Sequence, residues 1–213
     1  MLHDILHFFG RAICHQFEVR SLTVSGDVLA VCARDTGIYI GIFSTLMYLH
    51  FFKRRQPITI PSIKVSFLLL FFLVPLMADG LGSYTGLFES NNPRRLLTGI
   101  SFGLVLPYFT YPLLSKKYFY HDSVPVISKI QDFIVPLVVS VLLGCLFYMG
   151  WPSHIVLDGF IIVTAIGWFS LLASFLFPFI TRFKVRMFFS LLISFSFLSI
   201  LSLAHAWILS FHM

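Results

Sequence analysis

Long apolar runs separated by short polar junctions dominate the chain. A helix needs about 20 apolar residues to cross the hydrocarbon core of a bilayer. Runs of that order lie at about Thr36 to Phe52, Ile63 to Ala78, Leu96 to Leu114, Ile134 to Met149, Ile155 to Ile180 and Met187 to Phe211. They are continuous rather than alternating, which predicts helices and excludes the strands of an outer-membrane barrel. The first run ends at Lys53-Arg54-Arg55, and the second is expected to stop at Asp79-Gly80. Asn92 is the expected N-cap of the third, with Pro93 at its first helical position. Gly37 and Gly41 in the first run, and Gly99 and Gly103 in the third, are small-xxx-small pairs that let helix backbones approach closely. Pro75, Pro107 and Pro112 are expected to bend their helices. Ahead of the first run, His3, His7, Arg11 and Cys14 share one helical face, and Leu2, Ile5, Leu6, Phe9 and Ile13 lie largely on the other. This predicts a short amphipathic helix lying on the membrane surface.

Composition strengthens the membrane assignment. Of 213 residues 58% are hydrophobic and 11% charged, against about 25% charged in a soluble domain. The 26 phenylalanines exceed what a soluble fold of this size could hide. The expected fold class is an all-α polytopic integral membrane bundle of about six transmembrane helices plus the short N-terminal interfacial helix. The lipid bilayer is the implied partner, and residues 1–213 are expected to form a single membrane domain.

The net charge of +6 would suggest nucleic acid in a soluble chain. Here the basic residues sit in short loops, so no nucleic-acid partner is expected. Lys53, Arg54, Arg55 and Lys64, then Lys116, Lys117 and Lys129, then Arg182, Lys184 and Arg186 occupy alternate junctions. The positive-inside rule makes those junctions cytoplasmic and both termini extracytoplasmic. A prokaryotic cytoplasmic membrane is the expected location, and no cleavable leader is expected at the start of the chain.

Polar chemistry gathers in the first half. Cys14-His15-Gln16 and Cys32-Ala33-Arg34-Asp35 flank a loop containing Ser25-Gly26-Asp27. Three readings of the two cysteines stay open. One is a Cys14–Cys32 disulfide, worth roughly 3 kcal/mol for a loop of about 19 residues. Another is a metal site for a transition ion such as zinc, with Cys14, His15, Cys32 and Asp35 as ligands. The last is a redox pair with a reactive thiolate. His3 and His7, one helical turn apart, could help to line a metal site, although that spacing is common by chance. Arg34, Asp79, Asn91, Asn92 and Arg95 are candidates for contacting a small solute, with a helix-capping network as the alternative. Asp158 is placed with the same cluster, and Cys145 is expected to be an inert packing residue. Trp151, Trp168, Trp207, His205 and His212 carry no assigned chemistry. Walker-type, H-E-x-x-H and G-x-S-x-G motifs are missing from the sequence. No catalytic residue is assigned, and the balance leans away from an enzyme.

Four blocks then carry a family likeness: Cys14-His15-Gln16, Cys32-Ala33-Arg34-Asp35-Thr36-Gly37-Ile38-Tyr39-x-Gly41, Pro75-x-x-x-Asp79-Gly80, and Ser90-Asn91-Asn92-x-x-Arg95-x-x-Thr98-Gly99. In order and spacing they resemble the prokaryotic membrane family catalogued as domain of unknown function 2085. The likeness covers residues 14–103 and leaves 104–213 as additional transmembrane helices. It implies a multi-span membrane protein without an assigned activity. Members of that family often carry a cysteine where this chain has Asp35, and the substitution weighs against dithiol catalysis. The expected function is binding or transport of a small solute or metal ion at the extracytoplasmic face. A membrane-embedded thiol enzyme and a structural protein with a Cys14–Cys32 disulfide are the alternatives.

Overall fold

The computed structural model describes residues 1–114, 123–180 and 182–210. Lys116, Lys117 and His212, used above, lie outside the described residues. The chain forms two compact units, Met1–Asp35 with Gly150–Met213, and Thr36–Met149.

The first unit begins with α1 (Leu2–Arg11), as the apolar periodicity predicts. Its Leu6 and Gly10 are buried while Leu2 and Ile5 stay exposed, so α1 keeps the two-faced character expected of it and packs one face on the unit. Gly10 lies against Ala30, and the Ser202 hydroxyl donates to the Phe8 carbonyl at 2.6 Å. A hairpin follows, β1 (Ser21–Val24) paired antiparallel with β2 (Asp27–Cys32). Ser25 and Gly26 both have positive φ, 56° and 91°, which is the turn whose twist suits two-residue hairpins. A hairpin stands where a loop is expected from the sequence, and the Ser-Gly pair between Leu22, Val24 and Val28 is its local signal. The unit is completed by α7 (His154–Ala173) and α8 (Phe183–Ser210).

The second unit is built on α2 (Ala33–Tyr48), whose first three residues belong to the first unit. A π-helical turn, Leu49–Lys53, prolongs it. The second apolar run splits into α3 (Ile63–Phe71) and α4 (Val74–Tyr84), with Pro75 in the first turn of α4 as expected of a helix-bending proline. This run does not stop at Asp79-Gly80. It continues to Tyr84, so Asp79 lies inside the helix and is fully buried. Next come α5 (Asn92–Leu114) and α6 (Gln131–Met149), and β3 (Ile58–Thr59) pairs in parallel with β4 (Val124–Pro125). Asn91, rather than Asn92, caps α5: its Oδ1 accepts the Arg94 N–H at 3.0 Å.

The glycine pairs pack as their spacing predicts. A Cβ on Gly41 would stand 2.6 Å from the Leu104 nitrogen, and one on Gly103 would strike the Ile38 carbonyl. Thr45 Oγ1 adds a hydrogen bond to the Leu104 carbonyl at 3.0 Å. Below them Lys53 and Asp132 form a buried ion pair at 2.9 Å. Asp132 also accepts from the Tyr48 hydroxyl and from the Ser128 and Lys129 amides, and Tyr108 donates to its carbonyl.

Among the described residues five helical stretches are long and apolar enough to cross a membrane: Ile63–Tyr84, Asn92–Leu114, Gln131–Met149, His154–Leu176 and Phe183–Ile208. They leave Phe67, Phe71, Leu142, Val163 and Leu203 exposed. Exposed apolar side chains in that number suit lipid, not water. The sixth expected span corresponds to α2 and its π turn, Ala33 to Lys53.

Candidate functional site

Three elements of the first unit bring the thiol cluster together. Cys14 follows the end of α1, Cys32 ends β2, and Asp35 sits in the first turn of α2. The segment between α1 and β1 is held by Gln16, which takes a left-handed φ of 54°. Its side-chain amide donates to the His7 carbonyl at 2.9 Å and the Ala30 carbonyl at 3.0 Å. Gln16 thereby ties α1 to β2 directly beside Cys14. The Cys-His-Gln block signalled this residue, but its clamping role depends on the hairpin. Gln16→Ala leaves two partly buried carbonyls short of a donor and should destabilise the protein by about 1–3 kcal/mol, as measured by unfolding in detergent.

Cys14, Cys32 and Asp35 each place a ligand atom within 4.8 Å of the others. The Cys32 amide donates to Cys14 Sγ at 3.2 Å, and the Cys32 thiol donates to Asp35 Oδ2 at 3.1 Å. Among the described residues no disulfide joins the cysteines. The neighbouring Cys32 thiol, helped by the Gln16 and Cys32 amides, holds Cys14 below the usual thiol range. The same pairing, together with burial and the Asp35 charge, pushes Cys32 well up. Of the pair, Cys14 is the thiol that gives up its proton more readily and Cys32 the one that holds it. In a Cys145→Ser background, Cys32→Ala should raise the midpoint at which Cys14 thiolate absorbance appears, because the largest stabilising contact is lost. An unmoved midpoint would contradict the role of Cys32 in lowering Cys14.

The remaining site candidates are distributed differently. His15 is exposed, stacked on Phe17 and edge-on to His205, with ring centroids 6.0 and 4.6 Å away. It supplies positive charge near Asp35, as Arg34 does, and stands outside the ligand trio. Asp158, expected to join the polar cluster of Arg34, Asp79, Asn91, Asn92 and Arg95, accepts the Ala30 N–H at 2.8 Å and lies near His3 and His7. Asp79, Asn91, Asn92 and Arg95 all belong to the second unit. There Asp79 Oδ1 accepts from the Ser90 hydroxyl at 2.6 Å and pairs with Arg94 Nε at 3.1 Å. Arg94, which the sequence reading left out of its site, also lies over the Phe88 ring at 4.2 Å. Arg95 is buried and reaches Asn92 Oδ1 at 3.4 Å.

Comparison with known proteins matches residues 14–109 to a family described as predicted membrane protein (DUF2085). That stretch contains the thiol cluster, Gln16, the Asp79 network and both glycine pairs. An uncharacterised protein of Methanocaldococcus jannaschii, MJ1492, is 35% identical over 101 residues, 47% of this chain and 63% of that protein. The match therefore spans less than two thirds of that relative. An uncharacterised protein of Methanothermobacter thermautotrophicus is 34% identical over 100 residues, 47% of this chain and 86% of that protein. No solved structure matches the chain. With most of the second relative's length covered at this identity, and the family's blocks in order, the chain belongs to the predicted membrane protein family DUF2085.

Proposed function

We propose that this membrane protein binds a transition-metal ion, zinc or one of similar softness, through Cys14, Cys32 and Asp35. The single observation that carries the proposal is the convergence of two sulfurs and a carboxylate within 4.8 Å, drawn from three separate elements. Such a set could not arise from one helical repeat. Thiolate and carboxylate are both zinc ligands, and three protein ligands with one open position suit an ion that exchanges rather than one locked in place. The lowered Cys14 thiol supports this, since a metal must displace thiol protons and one is already loosened. His15 and Arg34 border the cluster and would moderate its negative charge. The ion would be taken up at the extracytoplasmic end of α2 and handed on there or across the membrane. Asp79, Asn91, Asn92 and Arg95 are given an anchoring role in this scheme, because their contacts cap α5 and tie it to α4.

A thiol–disulfide function is the second reading, favoured by the same closeness of Cys14 and Cys32 and by the lowered Cys14 thiol. Alkylation of both thiols, followed by mass spectrometry in the Cys145→Ser background, separates the two. Metal binding predicts that zinc protects both cysteines and that Asp35→Ala weakens the protection. Labelling indifferent to zinc, with a disulfide that forms under mild oxidant and reopens with dithiothreitol, would instead establish the redox reading.

A further inference from the structure

Two helices of the first unit each carry a pair of ligand-type residues one turn apart. On α1 these are His3 and His7, and on α7 they are His154 and Asp158. The structure turns the pairs toward each other. His3, His7 and Asp158 each place a ligand atom within 4.8 Å of the other two. The His3 and His7 rings are 4.1 Å apart, and His154 stands edge-on to His3 at 5.7 Å.

Two atoms of this cluster are left in a costly state. Asp158 is fully buried, and while its Oδ1 accepts the Ala30 N–H at 2.8 Å, its Oδ2 has no hydrogen-bond partner. His7 Nε2 is likewise buried without one. A buried carboxylate oxygen and a buried imidazole nitrogen rarely go unsatisfied in a native fold. A cation bridging them would satisfy both at once. We propose that His3, His7 and Asp158 form a second metal site, taking a divalent transition ion through two imidazoles and a carboxylate.

The chemistry of the donors sets this site apart from the thiol cluster. Nitrogen and oxygen ligands without sulfur suit zinc and its first-row neighbours in the divalent state. Burial, with the charges of His3 and Arg11, holds His7 below the usual histidine range. His3 is exposed and gives the ion a way in. At the rim, His154 Nδ1 is held by Asp27 Oδ2 at 3.0 Å. A carboxylate bonded to one ring nitrogen is how proteins commonly orient a metal-facing histidine, although His154 itself stands outside the trio of mutually close ligand atoms. Residues 3, 7, 154 and 158 all lie outside the stretch matched by the family.

The test uses the full chain in detergent with Cys14, Cys32 and Cys145 replaced by serine, so that only imidazole and carboxylate ligands remain. Zinc is titrated against a chromophoric chelator, and thermal unfolding is followed with and without zinc. The expected result is one equivalent of zinc and a raised Tm. His3→Ala and Asp158→Asn should each weaken zinc by at least about tenfold, the lower bound for groups that only support a ligand. Asp158→Asn retains an acceptor for the Ala30 amide and removes the partnerless charge, so without zinc it should melt no lower than its parent. Should that variant not fold, the exposed His3→Ala decides. A thiol-free chain that takes up no zinc overturns the site, as does an affinity unchanged in either folded variant.

Discussion

Lys53→Met should destabilise the protein by about 3 kcal/mol. The side chains of Lys53 and Asp132 are only 9% and 4% exposed, and removing one partner of a buried pair typically costs about 3–5 kcal/mol. The lower end is expected because Asp132 would keep four donors, the Tyr48 hydroxyl at 2.7 Å, the Ser128 and Lys129 amides at 2.9 Å and the Ser128 hydroxyl at 3.2 Å. The double variant Lys53→Met/Asp132→Asn should recover much of the loss, since no unpaired charge remains. Lys64→Met, at an exposed position, should stay within about 0.5 kcal/mol of wild type. Unfolding free energies in one detergent check all three. A Lys53→Met variant as stable as Lys64→Met would show that the pair does not hold the second unit together.

The second large effect is expected from one methyl group. Gly41→Ala would place its Cβ 2.6 Å from the Leu104 nitrogen and 2.7 Å from the Ile100 carbonyl oxygen. Both are backbone atoms of α5 and cannot rotate away, so α2 and α5 must separate. Overpacking of this kind costs about 1–3 kcal/mol, and more where the backbone must move. Parting the helices would also strain the Thr45–Leu104 hydrogen bond, so we expect the upper end. Gly159→Ala is the matching control, because nothing lies within 4 Å of the Cβ it would add. There the better helix propensity of alanine should raise stability by up to about 1 kcal/mol. Opposite signs for one chemical change on two apolar helices would locate the constraint in the helix contact. Equal effects would mean that propensity alone governs both.

Features written in local spacing were legible in the sequence. Apolar runs marked the helices, and the glycine pairs marked the α2–α5 contact, because the residues involved sit on one turn or one face. Pro75 marked the break between α3 and α4 for the same reason. Burial that depends on a distant partner was not legible. Lys53 looked like a topological signal at a membrane edge, and only Asp132, far along the chain, makes it a core residue. Asp79 looked like a helix stop because a carboxylate in an apolar helix is costly. Ser90 and Arg94 remove that cost by folding back over it. Of the thiol cluster, spacing suggested Cys14, Cys32 and Asp35 but also His15, whose ring turns to Phe17 and His205 instead. The β1–β2 hairpin was the missing piece, since it carries Cys32 to the end of α1. That Asp158 meets His3 and His7 was not legible, because the pairing of α7 with α1 has no signature in either helix alone.

The metal-binding proposal for Cys14, Cys32 and Asp35 is tested most directly by loading the reduced, chelator-treated protein with cobalt(II) and recording its absorption. Sulfur bonded to cobalt gives an intense charge-transfer band in the near ultraviolet that nitrogen and oxygen ligands do not. The band should appear in the wild type, survive His3→Ala, and vanish in Cys14→Ser/Cys32→Ser. A wild type with all thiols reduced and cobalt bound, but without that band, would contradict the proposal.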